Sequence, residues 1–260
     1  MKTVQTSIFG EVQAPDSFLE LVSLTRTPLS SDDARIVRMW RGQSNIDWRI
    51  DSGSYRKIRL TNPNPKESEV RFYEKRLLER ATHRGFRHID GRQLSDFELL
   101  ARLQHHGAAT RLLDTSRSAL VALFFAVSAN AETTGALFGF HSDYLGGHEE
   151  TLNDDSYNDI VGMIEEFDHP QTWQPPIVSH RISAQHSQFL YSKITDGETS
   201  SLAIPQKSLQ IIAISPDLKK ESQKILSETF DIRYATLFPD IDGFGFDNST
   251  AFDRWASDRW

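Results

Sequence analysis

Residues 119–129 read Ala-Leu-Val-Ala-Leu-Phe-Phe-Ala-Val-Ser-Ala and follow directly on Ser118. A serine in that place accepts a hydrogen bond from a backbone N–H of the first turn and starts a helix. A helix that is apolar nearly all round belongs in an interior, because no face of it suits water. The rest of the chain must therefore supply a cover. It has the material: 260 residues, 38% of them hydrophobic and 10% aromatic, a globular rather than a disordered composition.

Other features narrow the setting. No apolar run reaches the length of about 18 residues that a membrane span needs, so no membrane association is expected. The start, MKTVQTSIFG, has no apolar signal core. Cysteine is absent, which excludes disulfides, Cys-ligated zinc and thiol nucleophiles and suits a reducing cytoplasm. The net charge of −7 argues against a strongly basic nucleic-acid scaffold. Charge is uneven, however. Arg and Lys are frequent from Arg35 to Arg117, while Asp143–Asp168 and Asp231–Asp258 are acid-rich. A basic patch on an acidic protein and an ordinary mixed surface both fit.

Along the chain, residues 16–25 predict a short amphipathic helix capped by Asp16. Residues 35–41 read as a strand and 48–50 as a return strand or bend. Pro63 and Pro65, with Asn62 and Asn64, make 61–65 a loop. Residues 66–84 predict a helix with Val70, Tyr73, Leu77 and Ala81 on its apolar face. A further helix starts at Ser95, where Ser95 and Glu98 form a capping-box pattern, and Gly107 ends it. Residues 135–141, 186–194 and 209–214 read as strands. Ser215-Pro216 opens a helix with proline in its first turn. The stretch 143–176 predicts a long surface excursion with one short helix near Ile160–Phe167. TLFPDIDGFG is turn-rich, with aspartates capping backbone N–H groups. Residues 251–260 form a last amphipathic stretch carrying Phe252, Trp255 and Trp260. Helices and strands mix without the alternation of a doubly wound fold. The expected class is α+β, a mixed or antiparallel sheet with flanking helices, in a single domain over 1–260.

The densest chemistry lies in Gln104-His105-His106-Gly107 through Asp114. A helix C-terminus favours a protonated imidazole, because its free carbonyls are partly negative. Adjacent histidines on a helix point about 100° apart, which disfavours one shared metal, so no metal is expected. The competing reading makes a histidine a core group and Arg111–Asp114 a buried pair. Trp40-Arg41-Gly42-Gln43-Ser44-Asn45 is the second candidate. An arginine at a strand end, before glycine, can offer its guanidinium fork to phosphate or carboxylate while a ligand nears the backbone. Trp40 and Trp48 either wall such a pocket or pack the core. GxGxxG, GxxxxGK[ST] and GxSxG are missing, which removes the usual phosphate loops and the esterase elbow. Asp240-Ile241-Asp242-Gly243 lacks the further ligands of an EF-hand.

Together these pieces resemble the FRG domain, a family named for an aromatic-Arg-Gly motif. Its recurring segments are an aromatic-RGQ start, a stretch close to QHHGxPTRLLDWT, a PLxALYFA helix, a later R-x-x-x-Q-x-G-x-F and an LFPDLDG segment. This chain offers Trp40–Gln43, Gln104–Gly107 with Thr110–Thr115, Ala119–Ala126, then Arg181, Gln185 and Phe189, and finally Leu237–Gly243. The matches span about residues 17–250. Ala109 stands where proline is usual, the tryptophan after Asp114 is missing, and Ser187 replaces a glycine.

The chain also resembles, more distantly, ADP-ribosyltransferases of the Arg-Ser-Glu kind. Those carry an aromatic-Arg-Gly strand, a Ser-Thr-Ser segment before an A-x-x-F-A helix, and a Gln/Glu-x-Glu strand. Trp40-Arg41-Gly42, Thr115-Ser116 with Ala122–Ala126, and Gln185-His186-Ser187 occupy those places, the last without the glutamate. The resemblance implies NAD as cofactor. It implies that Arg41, with Gly42, Gln43 and Arg111, holds the pyrophosphate or ribose, and that Thr115 and Ser116 brace the nicotinamide. A histidine of the His105–His106 pair would bond the substrate, Gln185 would turn its amide to the pocket, and Asp114 would supply the missing negative charge. Arg41, a histidine, Arg111 and Asp114 are thus expected to line one cleft. The resemblance further implies a toxin or phage-defence (antiviral) effector acting on a nucleic acid or protein, with an antitoxin partner. The antitoxin would meet the acidic 143–168 excursion or the Trp-rich C-terminus. A non-catalytic nucleotide- or nucleic-acid-binding module is the alternative, and a metal-free nuclease with His105 or His106 as general base is the third reading.

Overall fold

The computed structural model describes residues 2–26, 37–147, 156–177 and 179–249. It opens with a hairpin, β1 (Thr3–Thr6) and β2 (Gly10–Gln13), followed by helix α1 (Phe18–Leu24). Ser17, one residue later than Asp16, caps α1 by accepting from the Glu20 N–H. Strand β3 (Val37–Gln43) leads to two helices, α2 (Gly53–Arg59) and α3 (Glu67–His83). A small hairpin, β4 (His88–Ile89) and β5 (Arg92–Gln93), precedes α4 (Asp96–His105). Ser95 and Glu98 close the capping box at the start of α4, and Gly107 takes a left-handed φ of +83° just past its end.

Strand β6 (Leu113–Ser116), helix α5 (Ala119–Val127) and strand β7 (Gly135–His141) follow, with Ser118 capping α5. Next come α6 (Tyr157–Ile164), β8 (Gln171–Trp173), α7 (His180–Ala184) and β9 (Ser187–Tyr191). Strand β10 (Leu209–Ile214), α8 (Pro216–Phe230), α9 (Tyr234–Leu237) and α10 (Ile241–Asp247) complete the described chain. The class is α+β. One eight-stranded sheet has the order β1-β2-β10-β7-β3-β6-β9-β8; β2 and β10 pair in parallel and every other pair is antiparallel.

Strand β7 lies mid-sheet and is buried at all seven positions. Its alternation sorts the core into two faces. Leu137 joins α1, α5 and α8 in one cluster, while Phe138 and Phe140 point to the other face with Met39, Leu113 and Leu190. A third cluster packs α3, α4 and α6 over Phe189 and Trp173. Burying each such side chain stabilises the fold by about 1.5–3 kcal/mol. The all-apolar α5 is covered as expected, and the cover comes so close that Gly42 is required. A Cβ there would lie 1.9 Å from the Ala122 carbonyl oxygen.

Several expectations are corrected. The buried stripe of α3 is Val70, Glu74, Leu78 and Ala81, so Tyr73 and Leu77 sit at its margin. The excursion carries edge strand β8 as well as α6. The strand expected at 186–194 is the shorter β9, and 48–50 contributes one bridge, Ile50 to Ser200. The turn-rich segment holds two short helices; Asp240 caps the second by accepting from the Gly243 N–H. Residues 35–36 of the expected strand, residues 148–155 of the acidic 143–168 excursion and the 251–260 stretch lie outside the described residues.

Candidate functional site

Strands β3 and β6 run antiparallel, with Trp40 opposite Ser116. Above them opens a cavity of about 840 Å³, within the roughly 300–1,000 Å³ typical of ligand pockets. Arg41 lies in its wall. Its Nη1 donates 2.8 Å to the Asp114 carbonyl and its Nε 3.4 Å to Gln43 Oε1. No carboxylate pairs with Arg41 among the described residues. Burial lowers its guanidinium to about 10, Asp114 opposes this and Arg56 adds to it. It is therefore a cation at neutral pH whose charge is met by dipoles, a state that favours an incoming anion.

Gln104 ties α4 to β6. Its amide donates 2.6 Å to Asp114 Oδ1 and its carbonyl accepts from the Thr110 hydroxyl. Thr115 and Ser116 also face the cavity, but their hydroxyls donate to the carbonyls of Gln188 in β9 and of Gln185 at the end of α7. His105 faces the cavity from the end of α4, its Nδ1 2.9 Å from the Ser179 hydroxyl. Burial lowers its pKa, which Asp114 resists and Arg181 and His106 reinforce. The helix-end argument for a protonated ring is thus outweighed, and His105 is a neutral imidazole at pH 7.

The far wall comes from late in the chain. Arg181 grips Asp240 with both Nε and Nη2, donates 3.0 Å from Nη1 to the His105 carbonyl and lies over the Phe238 ring at 5.1 Å. The hydrogen bond holds the Asp240 carboxyl below its usual range and the Arg181 guanidinium above its own. This clamp fixes the end of α4 and places Phe238 in the cavity wall.

The other candidates are distributed differently. Gly42 and Gln43 line the cavity, although the space over Gly42 is filled by α5 and not by a ligand. Gln185 lines it too, from the C-cap of α7 and not from a strand, and its amide donates to the Leu237 carbonyl. His106 turns outward and meets Asp242 at 3.3 Å. Arg111 is 1% exposed and is not among the residues that line the cavity. It donates 2.7 Å to Glu74, 3.0 Å to Glu67 and 2.8 Å to the Tyr157 hydroxyl. Burial works against its charge, but Glu74, Tyr157 and Glu67 more than restore it. Arg111 is a structural ion, and its partner is Glu74 and not Asp114.

Sequence reasoning passed over Arg49, Asp51, Arg56 and Arg59. All four face the cavity, so its wall carries the arginines at 41, 49, 56, 59 and 181 against the aspartates at 47, 51 and 114. Asp51 is 5% exposed and lies 3.4 Å from Arg49 and 3.8 Å from Arg59. Arg49 Nη2 and Asp51 Oδ1 thus hold each other as a buried ion pair without a hydrogen bond of ordinary geometry. The Arg56–Arg59 charge run was the available signal, hidden because α2 was not expected as a helix.

Residues 37–135, from β3 to the start of β7, match the family model of the FRG domain. The chain carries an FRG domain. The matched span holds Arg41, Asp51, Gln104, His105 and Asp114; the FRG cavity takes its far wall, Arg181, Gln185 and Phe238, from beyond it. No curated protein and no solved structure matches the chain. Among the described residues, no helix is long and apolar enough to cross a membrane.

Proposed function

We propose that the FRG cavity binds a phosphate-bearing dinucleotide of the NAD type and that the domain acts as an ADP-ribosyltransferase-like enzyme. The observation that carries this reading is Arg41, a cation without a carboxylate partner, held by two fixed acceptors in the wall of a dinucleotide-sized cavity. The cavity wall also carries Arg56, Arg59 and Arg181, whose positive charge suits a second phosphate. Bound there, NAD supplies a ribose whose bond to nicotinamide breaks with the electron pair leaving on nicotinamide. A nucleophile of the acceptor forms the new bond to that ribose carbon and gives its proton to the neutral His105. Asp114, held by Gln104, supplies the negative charge for the cation that develops. As the family resemblance implies, such chemistry would serve a toxin or phage-defence effector with a neutralising partner.

A second reading, a nucleotide-binding module without catalysis, is favoured by one observation: the Gln185 amide is spent on Leu237, and Ser187 stands where a glutamate would be needed. Calorimetry with NAD, followed by incubation with labelled NAD and mixed cellular RNA, DNA and protein, separates the two. Binding with transfer of label supports the enzyme, binding without transfer the module, and no binding at millimolar NAD overturns the enzyme and leaves a module for another nucleotide or nucleic acid.

A further inference from the structure

A second cavity, of about 730 Å³, opens beside the first and shares Arg41, Asp51, Arg56, Gln104 and Asp114 with it. The two therefore adjoin across a shared wall. The new part lies between α2 and α3. Arg56 and Lys57 face it from α2, and Tyr73 and Arg80 from α3. Including Arg41, four cations meet two carboxylates here, Asp51 and Asp114, in a chain of net charge −7. Arg56, Lys57 and Arg80 form no ion pair among the described residues. Each is a charge left available on a protein that is acidic elsewhere, which selects a polyanion.

The groove is not uniformly charged. Tyr73 is partly buried, with Lys57 Nζ 6.0 Å from its ring centroid, and Leu60 and Leu77 lie alongside. Phosphate-binding cations beside an aromatic and apolar face suit a strand of nucleotides, in which every residue offers both a phosphate and a flat base. An acidic peptide offers the charge without the flat apolar body. A duplex hides its bases in the stack, and a base reaches such a cavity only by leaving it.

From this we infer that the groove between α2 and α3 binds single-stranded nucleic acid, its phosphates on Arg56, Lys57 and Arg80 and a base against Tyr73. One nucleotide of that strand then reaches the Arg41 cavity as the acceptor, a step that rests on the transferase reading given above. Strand binding itself does not depend on that reading.

Fluorescence anisotropy with labelled RNA and DNA single strands of roughly 12 nucleotides, the size one such groove tracks, tests the inference. The wild-type protein should bind single strands more tightly than the matching duplex. Lys57→Glu with Arg80→Glu should weaken binding at least about tenfold over about 50–200 mM salt, where phosphate contacts dominate. The milder pair Lys57→Ala and Arg80→Ala, the check if charge reversal disturbs folding, should lower the salt slope by about 1.4, from ~0.7 per contact. NAD affinity, measured by calorimetry, should stay unchanged in both. Equal strand binding by wild type and variants, or displacement of the strand by a polyglutamate peptide at lower concentration than by a competing strand, overturns the inference. Strand binding without NAD binding overturns the transferase reading alone, and NAD binding without strand binding overturns this one alone.

Discussion

Arg41 donates 2.8 Å to the carbonyl of Asp114, a residue 73 positions further along the chain. That bond aims the guanidinium while leaving its charge unpaired. On the proposed function Arg41 is a ligand group, whose loss should show in binding before it shows in folding.

Arg41→Lys keeps the charge and loses the planar fork. Charge-assisted hydrogen bonds contribute about 1.5–3 kcal/mol. NAD affinity should therefore fall roughly 10- to 100-fold by calorimetry. The melting temperature should move by less than about 2 °C, as for changes outside a packed network. Equal losses of stability and binding in Arg41→Lys and Arg41→Ala would instead make Arg41 a structural ion.

Asp114→Asn retains an oxygen that can accept from Gln104, so the local geometry should survive. The variant should bind NAD like the wild type and transfer ADP-ribose at least about a hundredfold more slowly, the scale of one lost electrostatic contact in a transition state. Single-turnover kinetics reads the difference, and unchanged turnover removes Asp114 from the chemistry.

Arg111→Met should act on stability instead. It strands the fully buried Glu74, and breaking such a pair costs about 3–5 kcal/mol. Urea unfolding should show the loss, while the folded protein keeps its NAD affinity. A variant that stays stable and loses NAD would return Arg111 to the site.

His105 gives a pH signature. Folding lowers its pKa, so between that folded value and the unfolded value of about 6.5 the unfolded chain holds the extra proton. Stability should then rise with pH across that window and be lost as pH falls through it. His105→Gln should flatten this part of the melting-temperature profile. If His105 also takes the acceptor's proton, kcat/KM should stay high down to a lower pH than an ordinary histidine allows. A profile centred at or above about 6.5 would contradict both.

The elements that sequence made legible are those with clean periodicity or caps. The Ser118 helix, the Ser95–Glu98 box and the strand at 209–214 all stand where local rules put them. The face of α3 was misjudged because a core-facing Glu74 breaks the apolar stripe, and only its distant partner Arg111 explains it. The β1–β2 hairpin escaped because its strands are mostly exposed and show no alternation. At the site, the motif residues 104, 105 and 114 were visible, yet which of them face the cavity depends on the turn at Gly107. Arg49 and Asp51 carry no local pattern, since the loop after β3 alone brings them to the cavity.

The Arg181–Asp240 clamp has a consequence for the order in which the molecule is made. Synthesis is vectorial, and N-terminal parts can fold first. Arg41, Gln104 and Asp114 emerge first, and Phe238 and the Asp240 anchor follow more than 120 residues after Asp114. A nascent chain can thus be largely folded on the ribosome while its binding cavity still lacks a wall. The cavity is complete only once the segment around Phe238 and Asp240 has followed, and a chain cut before residue 238 keeps only an open half-site.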